Sequence, residues 1–173
     1  MSEPSPLDTF RTAFGLLSHL YLTPVLVALV RGRVPDHLAD GPLPATELAK
    51  RGGLNPLSVT RGLRALAAFG AFQEVSPGVF SNTAVSDLYR DRAGSLRNAV
   101  LFWGDEHLLK SAAALGHSME TGESSFVHVF GDFGSAATLL RPIVAGSVGE
   151  VVGHELQQAL GGFVPVGVLG THL

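Results

Sequence analysis

Cysteine is absent from this 173-residue sequence. That removes disulfides, thiolate nucleophiles and cysteine-ligated zinc together. Charge is also sparse: only 16% of residues are Asp, Glu, Lys or Arg, and 12 basic against 15 acidic side chains leave a formal charge of −3. Such a balance gives no general attraction to nucleic acid or to an anionic membrane. The most apolar stretch, Leu16 to Val30, is interrupted by Ser18, His19, Thr23 and Pro24, whereas a spanning helix needs about 20 apolar residues. The opening MSEPSPLD carries acids and prolines where a signal peptide has a basic and then an apolar region. A soluble, cytoplasmic chain is expected. No two histidines lie three or four apart and no H-x-H occurs, so no metal site is expected. Ser124-Ser125 lacks the surroundings of a nucleophilic serine, and Gly131-Asp132-Phe133-Gly134 lacks the lysine and spacing of a phosphate loop.

What is present is apolar. Hydrophobic residues make up 46% of the chain and the mean hydropathy is +0.29, high for a small free domain, so some of this surface is expected to be covered by a partner. Residues 1–8 read as a flexible tail. A helix is expected from Leu7 to Leu20, with Phe10, Phe14 and Leu17 on its apolar side, and Pro24 is expected to open a second helix that is apolar nearly all round.

Residues 42–90 carry a winged-helix pattern. Thr46 is placed to cap a helix that Gly52-Gly53 ends, and Asn55-Pro56 to cap and open a helix through Val59, Leu63 and Leu66. Gly70 stops it, and FQEV, the SPG turn and VFSN make a hairpin. Such a module can read DNA. Against that, Arg61 and Arg64 are the only basic side chains on the would-be recognition helix, and five basic against three acidic residues over 45–90 is a weak footprint for DNA. Nucleic acid is therefore an unlikely partner on sequence grounds.

The most informative stretch, Ser95 to Gly131, holds the only Trp and three of the seven His. Leu101, Leu108 and Leu115 recur every seven residues, as on one helix face. Gly104-Asp105 breaks that helix if Asp105 caps a second one from Glu106, with Gly116 as its stop. A continuous helix would instead stack Trp103, His107 and Lys110. The segment closes with ETGESSFVHVFG, read as turn-rich, with Phe126, His128 and Phe130 at alternate positions.

A Trp-bearing helix, then M-x-T-G, then S-F-x-x-x-F-G, resembles the linker between the N-terminal dimerisation domain and the catalytic domain of bacterial small-molecule O-methyltransferases. The resemblance reaches back through LPATELAKRGGLNPLSVTRGLRALAAFGAFQEVSPGVFSNTAVSDLYR. It implies a mainly α-helical, winged-helix-like dimerisation domain over 9–131 with one small β-hairpin, the module at 42–90 and a helical linker at 95–131. It also implies a homodimer whose N-terminal helices interlock. Residues 132–173 then correspond to a C-terminal helix, expected over Ser147 to Leu160, and to the start of the family's adenosylmethionine-binding domain. In FVPVGVLGTHL, Pro165 interrupts the strand and Val168-Leu169 stand where glycines are wanted. No Rossmann domain and no cofactor are therefore expected.

These features frame the expected function as tailoring of an aromatic polyketide without adenosylmethionine, by cyclisation, rearrangement or a related proton transfer. The expected catalytic residue is His107, which accepts and returns protons near neutrality, with Asp105, Glu106, His117 and His128 as further candidates. Phe102, Trp103, Met119 and Phe126 would line an apolar cradle for the substrate. The alternatives are a non-catalytic partner subunit of a full-length methyltransferase or oxygenase, and a winged-helix DNA-binding regulator.

Overall fold

A computed structural model describes residues 5–131. The chain divides into two compact units, Met1–Asp87 and Leu88–Leu173. The expected helix over 147–160 and the glycine-bearing segment after it lie outside the described residues.

The first unit opens with helix α1 (Pro6–Arg31), whose Ser5 side chain accepts from the Asp8 amide while Pro6 stands where its missing N–H costs nothing. The helix therefore begins inside the stretch expected to be a tail. Pro24 lies within α1 and does not open a new helix. Its ring opposes the carbonyl of residue 20, one turn earlier, and the axis turns by 60° between Pro6–Ser18 and Leu20–Arg31. The two halves have different fates. Val27, Leu29 and Val30 are at most 4% exposed, whereas Leu7, Phe10, Phe14, Leu16, Leu17, Leu20 and Tyr21 are 55–76% exposed. Among the described residues no single helix is long and apolar enough to cross a membrane.

After α2 (Val34–His37) come strand β1 (Leu43–Pro44), helix α3 (Ala45–Gly52), helix α4 (Pro56–Ala67), strands β2 (Phe72–Ser76) and β3 (Val79–Asn82), and the short α5 (Ala84–Asp87). The turn chemistry is as expected at three places. Gly53 ends α3 at φ 65°, a left-handed conformation that glycine adopts without strain. Asn55 accepts from the Ser58 amide to cap α4, with Pro56 in its first turn. Gly70 follows α4 at φ 76°. Thr46, however, does not cap α3, because the helix already starts at Ala45 after Pro44. The hairpin is also larger than expected: β1 adds to it, giving a three-stranded antiparallel sheet of order β1-β3-β2. Leu43 pairs with Phe80 and Pro44 with Val79. A two-residue strand with a proline has no alternation for a sequence pattern to show.

One core serves this unit. Val34, Leu48, Ala49, Leu63 and Phe80 are fully buried, with Leu29, Val59, Leu66 and Phe72 around them. α1 and α4 approach closely, and a Cβ on Gly62 would stand 2.8 Å from Val25 Cγ1. On the far side of α4, Arg64 grips Glu74 of β2 with both oxygens, Nε at 3.1 and 3.0 Å and Nη2 at 2.8 Å. Glu74 also accepts from the Gly78 amide at 2.7 Å, which ties the hairpin turn.

Among its described residues the second unit holds four short helices: α6 (Arg97–Trp103), α7 (Glu106–Ala113), α8 (Leu115–Thr121) and α9 (Ser125–Phe130). Asp105 caps α7 as expected, so the continuous helix is not formed. Gly116 lies inside α8 instead of stopping α7. The run read as turn-rich is also helical at its end: Ser124 accepts from the Val127 amide and starts α9.

The Arg64 guanidinium, with help from the Gly78 amide, holds the Glu74 carboxyl below its ordinary value of 4.5. A depressed folded-state value adds stability above that ordinary value and loses it as pH falls through the folded one. Glu74→Gln is therefore expected to lower the melting temperature at neutral pH, with the gap to the parent narrowing below about pH 4.5. Melting curves at stepped pH check this; a gap that stays constant down to about pH 3, roughly one unit below the ordinary carboxylate range, contradicts it.

Candidate functional site

The expected site residues of 102–130 gather in the second unit because helical spacing puts Phe126 and Phe130 on one face of α9, four residues apart. Phe126 and Phe102 form a small core, 3% and 4% exposed, against which Trp103, Leu108 and Phe130 pack. Trp103 meets Phe102 edge to face at 5.3 Å, and Phe126 lies 4.8 Å from Phe130. Beside these rings Ser111 and Ser125 are buried and share a 3.0 Å hydrogen bond between α7 and α9.

Asp105 has two roles. Its Oδ1 accepts from the His107 amide at 2.9 Å and lies 2.8 Å from His107 Nδ1. A carboxylate oxygen only accepts, so Nδ1 carries the proton and Nε2 of the neutral ring holds the lone pair. The ring's other neighbour is Phe130 at 5.3 Å. The His107 side chain is 36% exposed. An imidazole oriented by a carboxylate and set beside aromatic rings is an arrangement for general acid–base chemistry.

The remaining candidates lie elsewhere. Glu106 does not orient His107; it is an exposed partner of Lys110, whose ammonium holds its carboxyl below the ordinary value. His128 is two residues from both Phe126 and Phe130, so it leaves their face of the helix and stacks on His117 at 3.8 Å. His117 Nε2 is 3.2 Å from Glu123. Met119 is 75% exposed and is not part of the aromatic cluster. Phe130, Ser111 and Ser125 were missed in the sequence. Ser124 standing before an apolar run was the available signal, since a capped helix from Ser125 puts Phe130 beside Phe126.

Among the described residues, no three His, Asp or Glu side chains could hold a metal. The first unit has an apolar cleft of about 140 Å³ between α1 and the start of α4, lined by Val25, Leu29, Leu54 and Ser58 among others. Ligand pockets are generally roughly 300–1,000 Å³, so this cleft is too small for a polycyclic ring system.

Residues 14–92 match the O-methyltransferase dimerisation domain. These residues are a domain of that family. It is 32% identical over 117 residues to the phenazine O-methyltransferase PhzM of Lysobacter antibioticus, covering 67% of this chain and 34% of the relative. Against the 3-amino-4-hydroxybenzoate 4-O-methyltransferase of Streptomyces cremeus it is 30% identical over 131 residues, 75% of this chain and 36% of that one. The fold is similar to the crystallised mitomycin 7-O-methyltransferase MmcR, with a TM-score of 0.73, 25% identity, and coverage of 90% of this chain and 48% of that one. The chain thus spans about a third of the curated relatives named here. Bacterial small-molecule O-methyltransferases are its homologues, and the mainly helical fold with a small three-stranded sheet is that of their dimerisation domain.

The buried hydroxyl pair gives a test of how the second unit holds together. Removing one partner leaves the other buried and unsatisfied, at a cost of about 1–3 kcal/mol. Ser111→Ala and Ser125→Ala should each destabilise the protein by that order, and the double variant by clearly less than their sum. Urea melts of the three variants check it; strict additivity would show that the hydroxyls act independently.

Proposed function

We propose that this chain forms a homodimer through α1 and works in the tailoring of an aromatic natural product. The observation that carries the dimer is the bare first half of α1, where Leu7, Phe10, Phe14, Leu16 and Leu17 are each more than half exposed, with Leu20 and Tyr21 equally exposed just past the bend. Burying one such side chain fully is worth roughly 1.5–3 kcal/mol, so a chain that left them in water would forgo a large stabilisation. The 60° bend in α1 carries this half away from the line of the half packed on its own unit. A second copy offers the same surface, and two-fold pairing makes it self-complementary. The family name points the same way, as do relatives named for aromatic substrates, a phenazine and an aminohydroxybenzoate.

Phe14→Asp combined with Leu17→Asp is expected to shift the protein from dimer to monomer at micromolar concentration. Sedimentation or light-scattering mass reads the outcome. A monomeric parent protein would refute the homodimer, and a mass set by co-purification with a longer methyltransferase or oxygenase would assign α1 to that partner instead.

The Asp105–His107 pair supports a second, finer reading: proton transfer on an acidic aromatic polyketide, giving cyclisation or rearrangement. His107 Nε2 would take a proton from the substrate and return it to another atom, Asp105 would hold the ring, and the half-buried Trp103 would offer a planar face to the substrate. His107→Gln should then abolish turnover of such a substrate, and Asp105→Asn reduce it about 10²–10⁴-fold, the usual scale of general acid–base catalysis. Turnover unchanged in His107→Gln would end this reading and leave the dimer proposal standing.

A further inference from the structure

The seam between α8 and α9 contains a pair of rings that acid–base catalysis does not use. His117 of α8 and His128 of α9 lie face to face, with centroids 3.8 Å apart and planes within 17°. Two neutral imidazoles stack well at this distance, and so do one cation and one neutral ring. Two imidazolium ions at contact distance repel each other.

The surrounding charges decide how many protons the stack tolerates. α8 carries Glu120, and the turn before α9 carries Glu123, which reaches His117 Nε2 at 3.2 Å. α7 packs against both helices, and its charged groups are Glu106 and Lys110, which hold each other, and His107, which Asp105 holds. α9 itself carries no charged residue besides His128. Glu123 can therefore compensate one proton on the pair, and no second carboxylate lies within bonding distance among the described residues.

We propose that the His117–His128 stack is an acid-sensitive latch, closed while the pair carries at most one proton and released when both rings are charged. Two charged rings held at contact repel each other, so charging both favours the open seam. Histidine makes this change between about pH 8 and pH 5. The consequence reaches the aromatic cluster because α9 also carries Phe126 and Phe130, and Phe130 faces His107. Release of α9 uncovers Phe102 and the packed face of Trp103. Acid thus dismantles the surroundings of His107 as well as protonating its ring.

Trp103 is the only tryptophan in the sequence and packs on this cluster, so its emission reads the latch directly. The full chain should show a reversible red shift of emission on titration from about pH 8 to about pH 5. His128→Phe keeps a ring in the stack without a charge and should abolish the shift, whereas His107→Phe should retain it. A flat profile in the parent protein overturns the latch, as does a shift that survives in His128→Phe or vanishes only in His107→Phe. Should His128→Phe not fold, His117→Phe makes the same test from the other ring.

Discussion

Val25 occupies the space a side chain at residue 62 would need. With glycine there, the second half of α1 lies directly on α4, and Leu29 reaches the core that Leu48, Leu63, Phe72 and Phe80 build. The rest of the first unit follows from this contact. Because α1 is fixed along its second half and bent ahead of Pro24, the first half cannot be laid on the same core, and its apolar side chains stay outside. One helix therefore does two jobs, closing its own unit with one half and presenting an apolar surface with the other. The composition shows the excess of apolar residues, but only the bend shows where it is placed.

Local chemistry was the legible part of the sequence. Asn55-Pro56 at the start of α4, Gly53 at the end of α3 and Asp105 at the start of α7 act within one turn of their own position, so the residues alone identify them. Features that depend on what lies across the fold were not legible. Pro24 reads as a helix start, yet the helix runs through it and bends. Gly116 reads as a stop, yet α8 begins one residue earlier and passes over it. β1 consists of Leu43 and Pro44 and exists because β3 has an edge to pair. The run that carries Phe126, His128 and Phe130 at alternate positions reads as turn-rich. In a helix the same three residues separate into an aromatic face and an opposite histidine, and this changes which side chains meet.

That change redistributes the candidate residues of the second unit. Phe102 and Phe126 use their faces to fill a core, so little of either ring is open to a ligand. Trp103 and His107 keep part of theirs. A small core of two buried rings has few alternative packings, and the Ser111–Ser125 hydrogen bond between α7 and α9 narrows them further. The geometry around His107 thus depends on α9 staying in place.

α4 is the helix that the sequence pattern would assign to reading DNA. Of its two arginines, Arg64 turns its guanidinium onto Glu74, an ion pair that both partners' shifted protonation reflects: the carboxyl is held low and the guanidinium high. A phosphate would have to compete with that bidentate grip and with the Gly78 amide that keeps Glu74 in position. Arg61 remains exposed on the same helix, but one cation beside the exposed Leu57 gives a surface with little salt-dependent attraction to a polyanion. The same Arg64–Glu74 contact fastens the hairpin to α4. In this unit the charge of the would-be recognition helix has become part of what holds the fold together, while the surface left uncovered is apolar and lies on α1.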